Sequence, residues 1–194
     1  RPQFHFTAQA NWLNDPNGLV FYKDTYHLFF QHNPSGIKWG NMTWGHAVSK
    51  DLVHWEQRDP ALHPDHLGTI YSGSAVVDWE NTAGFQQGSE KAIVCIYTSA
   101  GKPFTQSLAY SIDGGRTFAK YDKNPVVPHL AGENRDPKVV WHAPTRKWIM
   151  ALYKEGTTFS FLSSPDLKTW TLLHDMDVPG CDECPDFFPL PVEG

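Results

Sequence analysis

The chain has 194 residues, 40% hydrophobic and 19% charged, with a formal net charge of −5. That apolar share supports a packed core and excludes a disordered chain. The acidic balance excludes the basic face of a nucleic-acid binder, and no apolar run approaches the roughly 18 residues of a membrane-spanning helix, so neither nucleic acid nor membrane is expected as a partner.

Aromatic residues make up 14% of the chain, and 15 Gly and 15 Pro punctuate them. Many aromatics between frequent turn residues predict short strands. The three cysteines, Cys95, Cys181 and Cys184, are too few, and odd in number, for a disulfide framework. The first residue is Arg1 and no signal-peptide apolar region follows it, so the chain reads as a processed protein, an engineered piece or a fragment.

In chain order, strand-like runs fall at 20–22, 26–31, 44–49 and 54–57, then at 72–77, 92–98, 107–111 and 117–121, then at 138–141, 148–153, 158–163 and 170–173. A further run at 187–190 would open another set. No stretch keeps a helical period over about 11 residues. A loose repeat runs through the sets. Ser49-Lys50-Asp51-Leu52 leads to Trp55, Ser111-Ile112-Asp113-Gly114-Gly115 to Phe118, and Ser164-Pro165-Asp166-Leu167 to Trp170. Each reads as a hairpin whose Asp organises the turn and whose aromatic packs in the returning strand. Four strands per unit of roughly 50–60 residues is the pattern of β-propeller blades. A β-sandwich could use the same strands, but the repeated hairpin favours the propeller. The expected fold is all-β, a partial propeller of about three four-stranded blades plus the first strand of a fourth. Propellers close with typically about four to eight blades, so residues 1–194 are expected to form the N-terminal portion of a larger one.

Three carboxylates recur at one place in this scheme. Asp15, in Trp12-Leu13-Asn14-Asp15-Pro16-Asn17-Gly18, precedes the first strand of blade one. Asp136, in Arg135-Asp136-Pro137, precedes that of blade three, and Glu183, in Asp182-Glu183-Cys184-Pro185, that of the fourth set. Ser72-Gly73-Ser74 takes the place in blade two. First strands line a propeller's central funnel, so these residues should converge there. Converging carboxylates repel and lose hydration, so packing alone does not collect them. Glycoside hydrolysis needs such a set, one carboxylate to attack and a protonated one to release the leaving group.

Together, residues 12–18, Trp44-Gly45-His46-Ala47, Ser72-Gly73-Ser74, Arg135-Asp136-Pro137 and Glu183-Cys184-Pro185-Asp186 resemble glycoside hydrolase family 32, the invertases, levanases and exo-inulinases. The resemblance implies a five-bladed propeller followed by a β-sandwich, with the last blades and the sandwich absent from these 194 residues. It implies release of terminal β-linked fructose from fructans or sucrose, a small or polymeric fructoside as partner, no cofactor, and secretion. A fructosyltransferase or an inactive carbohydrate-binding propeller are the alternatives. By the same resemblance Asp15 is the nucleophile, Glu183 the acid/base and Asp136 the transition-state stabiliser. Asn14, Gln31, Trp39, Ser72 and Arg135 line the fructosyl pocket, with Trp12 on its rim. A retaining mechanism would place the nucleophile and acid carboxyls about 5–5.5 Å apart.

Physical chemistry adds expectations. Arg135 should hold Asp136 ionised, and burial with nearby carboxylates should keep Glu183 protonated. Asp182 should point away from Glu183's face. Trp44 joins Trp12 and Trp39 as a candidate for stacking on sugar. Arg58-Asp59-Pro60, a second Arg-Asp-Pro, follows the fourth strand of blade one and reads as a surface turn at the outer edge. Cys181-x-x-Cys184 has metal-site spacing but no second ligand pair, so no metal is expected. His46 and the other histidines read as core or rim.

Overall fold

A computed structural model describes residues 5–191. They form three four-stranded antiparallel sheets and a single 3-10 turn at Ala143–Thr145. The first sheet is β1 (Trp12–Tyr22), β2 (Thr25–Asn33), β3 (Thr43–Ser49) and β4 (Trp55–Leu62), in that spatial order. The second is β5 (Thr69–Asp78), β6 (Ala92–Ala100), β7 (Thr105–Ser111) and β8 (Ala119–Lys120). The third is β9 (Arg135–His142), β10 (Lys147–Glu155), β11 (Thr158–Ser164) and β12 (Thr171–Asp177). These are the three expected blades, each a meander from inner to outer strand.

The hairpins form as the repeat predicts. Asp51 Oδ1 accepts from the N–H groups of Val53 and His54, Asp113 Oδ1 from Arg116 and Thr117, and Asp166 Oδ1 from Lys168 and Thr169. A carboxylate taking two turn N–H groups satisfies donors that no ladder could. Trp55 and Trp170 then fold back, each indole Nε1 donating to the carbonyl of Leu52 or Leu167 at 3.0 Å.

Period-2 alternation explains how the blades stack. On β6, Ala92, Val94 and Ile96 pack towards the third blade with Val139, Met150 and Leu152. From the opposite face, Cys95 and Tyr97 pack towards the first blade with Phe29, Trp44 and Leu62. Buried on both faces, β6 reads as a continuous apolar run, and each fully buried large side chain contributes about 1.5–3 kcal/mol. Trp44 is 0% exposed, its Nε1 donating to the Tyr71 carbonyl at 2.9 Å. It is therefore a core residue and not a sugar platform. His46 also lies in the core, stacked on His27 with rings 5.3 Å apart. Burial lowers both, His27 to about 4 and His46 to about 3.

Two expectations fail. Residues 187–190 form no strand. Pro185, Pro189 and Pro191 remove donors from that segment, and it has no ladder partner among the described residues. Arg58-Asp59-Pro60 is not a turn but part of β4. It is nevertheless on an outer strand, where a proline costs no ladder bond, and Asp59 is exposed. Asp59→Asn should change the melting temperature only slightly, since exposed substitutions away from the core act weakly; a large fall would mean that Asp59 braces the outer strand.

Candidate active site

The three inner strands, β1, β5 and β9, lie side by side, and each is irregular at the same place. Pairing of β1 with β2 skips a residue between Leu13 and Pro16, that of β5 with β6 between Ile70 and Gly73, and that of β9 with β10 between Arg135 and Lys138. A bulge leaves one residue unpaired and re-aims its side chain. The residues so freed include Asn14 and Asp15, Tyr71 and Ser72, and Asp136. Asp15 and Asp136 thus lie inside strands rather than ahead of them, as the sequence suggested.

Asp136 takes the left-handed backbone region at φ 64°, unfavourable for a non-glycine residue. Its surroundings hold it there. The Asp136 N–H donates to Thr98 Oγ1 at 2.9 Å, and Thr98 Oγ1 donates to Gln106 Oε1 at 2.6 Å. Gln106 Nε2 donates to the Asn134 carbonyl at 3.1 Å. Asn134 is fully buried, and its Nδ2 donates to the Phe104 carbonyl.

Across the bulges, Ser72 Oγ donates to Asp15 Oδ2 at 2.6 Å, and Asn14 Nδ2 to Asp15 Oδ1 at 3.2 Å. Trp12 Nε1 donates to Asn14 Oδ1 at 2.8 Å. The segment carrying Glu183 runs along β9 in constant register. Arg135 Nη2 meets Glu183 Oε1 at 2.7 Å, the Cys184 N–H donates to Asp136 Oδ2 at 3.0 Å, and Lys138 Nζ meets Asp186 Oδ1 at 2.9 Å. Glu183 and Cys184 also have positive φ, 55° and 36°. The Cys184 thiol points between the two aspartates, 3.5 Å from Asp136 Oδ2 and 3.8 Å from Asp15 Oδ2. Burial, then the charges of Asp136 and Asp15, push its pKa far up, so it stays a protonated donor.

These groups surround one cavity of about 270 Å³, lined by Asn14, Asp15, Gln31, Trp39, Tyr71, Ser72, Glu133, Arg135, Asp136 and Glu183. All the expected residues line it except Trp12, which acts at one remove through Asn14. Asp182 does not line this cavity but borders a neighbouring groove with Phe161 and Phe187, which Glu183 and Cys184 also border. The sequence reading missed Tyr71 and Glu133. Tyr71 directly precedes Ser72, and its ring packs edge-on against Trp39 at 5.9 Å, a signal readable once β5 is placed. A larger cavity of about 910 Å³ between blades one and two holds His27, Arg58 and Arg116 and does not reach Asp15, Asp136 or Glu183.

The electrostatics differ from expectation in two ways. Arg135 pairs with Glu183, while its Nε stands 3.8 Å from Asp136 Oδ2. Glu183 is not buried, its side chain being 54% exposed. Asp136 is 6% exposed, and burial raises its pKa despite the opposing Cys184 N–H bond and the Arg135 charge. The effect on stability has a definite sign. A carboxyl whose folded pKa is raised favours folding at low pH, and that contribution is lost as pH rises through the folded pKa. Asp136→Asn should therefore melt above the parent at pH 7, and the gain should vanish below the ordinary carboxyl range. A pH series of melting temperatures checks this; a variant melting lower at pH 7 contradicts it.

Residues 5–194 match the family described as Glycosyl hydrolases family 32 N-terminal domain. The chain is 52% identical to a levanase of Bacillus subtilis (strain 168) over its whole length, covering 30% of the levanase. It is 41% identical to the extracellular exo-inulinase inuE of Aspergillus niger and 45% identical to an invertase of Debaryomyces hansenii, covering 42% and 38% of them. It thus spans well under half of these relatives' length. Among solved structures, an exo-inulinase from Aspergillus awamori superposes with a TM-score of 0.85 at 40% identity, over 91% of this chain and 40% of that one. A β-fructofuranosidase from Schwanniomyces occidentalis complexed with fructosyl-erythritol gives 0.87 at 43% identity, over 91% of this chain and 36% of that one. The three sheets are propeller blades, and the chain belongs to glycosyl hydrolase family 32.

Proposed function

We propose that this protein is a secreted β-fructofuranosidase that releases terminal fructose from levan, inulin or sucrose by a retaining double displacement. The observation that carries this reading is the meeting of Asp15, Asp136 and Glu183 around one cavity, with Ser72 and Asn14 donating to Asp15. Two hydrogen bonds orient the Asp15 carboxyl oxygens for attack on the anomeric carbon. Glu183, at the mouth, stands where a leaving group departs and water enters. It gives its proton to the departing oxygen and then takes one from water. Asp136, buried and fixed by Cys184, binds fructosyl hydroxyls where positive charge develops on the ring. Trp39 and Tyr71 offer apolar faces at the mouth. Residues 1–194 supply three blades of a larger propeller, in which the groove lined by Phe159, Phe161 and Phe187 meets the next blade. No cofactor has a part in this chemistry.

The test is fructose release from sucrose, levan and inulin, with the anomer of the first product followed by NMR. Release as β-fructofuranose supports the reading and ranks the substrates. Transfer of fructose to sugar in place of water would make the protein a fructosyltransferase. Binding of fructans without turnover, in a chain extended through the further blades, would make it a carbohydrate-binding propeller.

A further inference from the structure

The proposed reading uses Asp15 and Ser72 but not the residue between the two bulges of β1. Asn17 is 3% exposed and follows Asp15 by two positions. On either side of the Pro16–Asn17 pairing with Phe30 and Phe29, the β1 register skips a residue. Its Oδ1 accepts from the Gly73 N–H, across the gap between blades one and two, at 3.2 Å. Gly73 follows the β5 bulge and adjoins Ser72. A side chain at Gly73 would sit 2.1 Å from the Ile96 carbonyl oxygen, so the backbone there cannot shift inward. Asn17 Nδ2 is buried with no hydrogen-bond partner among the described residues.

Inner strands of adjacent blades share no ladder. The Asn17 carboxamide bridges them where a backbone carbonyl would in a continuous sheet. One residue away on β5, Ser72 makes the 2.6 Å bond to Asp15. The pairs 15 with 72 and 17 with 73 close a small ring across the gap, with main chain along both sides. A buried amide satisfied at one end only is costly to keep for packing alone.

We propose that Asn17 is a positioning residue, holding the Ser72 hydroxyl on Asp15 through the Gly73 backbone. The inference rests on Asp15 being the nucleophile. Without the Asn17 oxygen, the Gly73 N–H loses its acceptor and the β5 bulge loses its anchor to β1. Ser72 then no longer fixes the Asp15 oxygen that it contacts.

The test measures fructose release by the parent, Asn17→Ala, Ser72→Ala and the double variant, alongside Asp15→Asn. Asn17→Ala is expected to lower kcat by about 10- to 100-fold, the scale of a misplacement near 1 Å, with KM changed less than about twofold. In the Ser72→Ala background the same substitution should cost little more, because both act through one hydrogen bond. Equal losses in both backgrounds, or a fall in melting temperature with kcat intact, overturn the proposal. Asn17→Asp keeps an acceptor for the Gly73 N–H and should retain kcat far better than Asn17→Ala, most of all at low pH where the acid carries no charge into the buried gap. A loss equal to that of Asn17→Ala across the pH range counts against the proposal. This variant carries the test if Asn17→Ala does not fold. All variants are made in a chain extended through the further blades; an inactive parent there would sink the functional reading itself, whereas an active parent matched by Asn17→Ala would sink this inference alone.

Discussion

Asp15→Asn should abolish fructose release, by on the order of 10⁴-fold or more, the scale seen when an enzyme loses its covalent nucleophile. The fold should survive. The amide oxygen can still accept from Asn14 Nδ2, and the new amide N–H can donate to Ser72 Oγ, which now serves as acceptor. Asp15 is freed from pairing by a bulge, so no ladder bond depends on it. Melting temperature should therefore move little while kcat collapses. Parallel loss of both would mean that Asp15 braces blades one and two rather than attacking sugar. The variant should also retain binding of sucrose, measurable by calorimetry, because the cavity keeps its other polar walls.

Glu183→Gln should cost about 10²–10⁴-fold on natural fructosides, the usual range for general acid–base catalysis. Its signature is the dependence on leaving group. An aryl fructoside, whose phenolate departs without a proton, should lose far less in the first step than sucrose does. Added azide, which needs no base, should restore turnover and give a fructosyl azide of retained configuration. An inverted product would exclude the double displacement. The same substitution removes the 2.7 Å ion pair with Arg135. That pair is exposed on the Glu183 side and is worth little to stability, so the melting temperature should change only slightly. Arg135 stays stacked over the Tyr153 ring at 4.6 Å.

Most of the blade architecture was legible because two local rules suffice for it. Alternation marks the strands, and Ser-x-Asp marks the outer hairpins. The carboxylates were legible through their recurrence at one place in blades one and three and again at Glu183, with Ser72 in that place in blade two. The bulges were not, since one extra residue changes neither composition nor the run of apolar side chains. They put Asp15 and Asp136 inside strands. The partner of Arg135 was also hidden. Adjacency in sequence suggested Asp136, but in the left-handed turn of the chain at residue 136 the guanidinium reaches the facing segment instead. Residues 187–190 misled for a plainer reason. Apolar residues are necessary for a strand, but a neighbour to pair with is also required, and sequence pattern reports only the first.

The interruptions of β1, β5 and β9 stand at one level of the blades. The chemistry-bearing positions are therefore the ones whose replacement breaks no ladder. A new side chain at 14–15, 71–72 or 136 remodels the pocket without re-registering a strand, whereas one in β6 disturbs packing against two neighbouring blades at once.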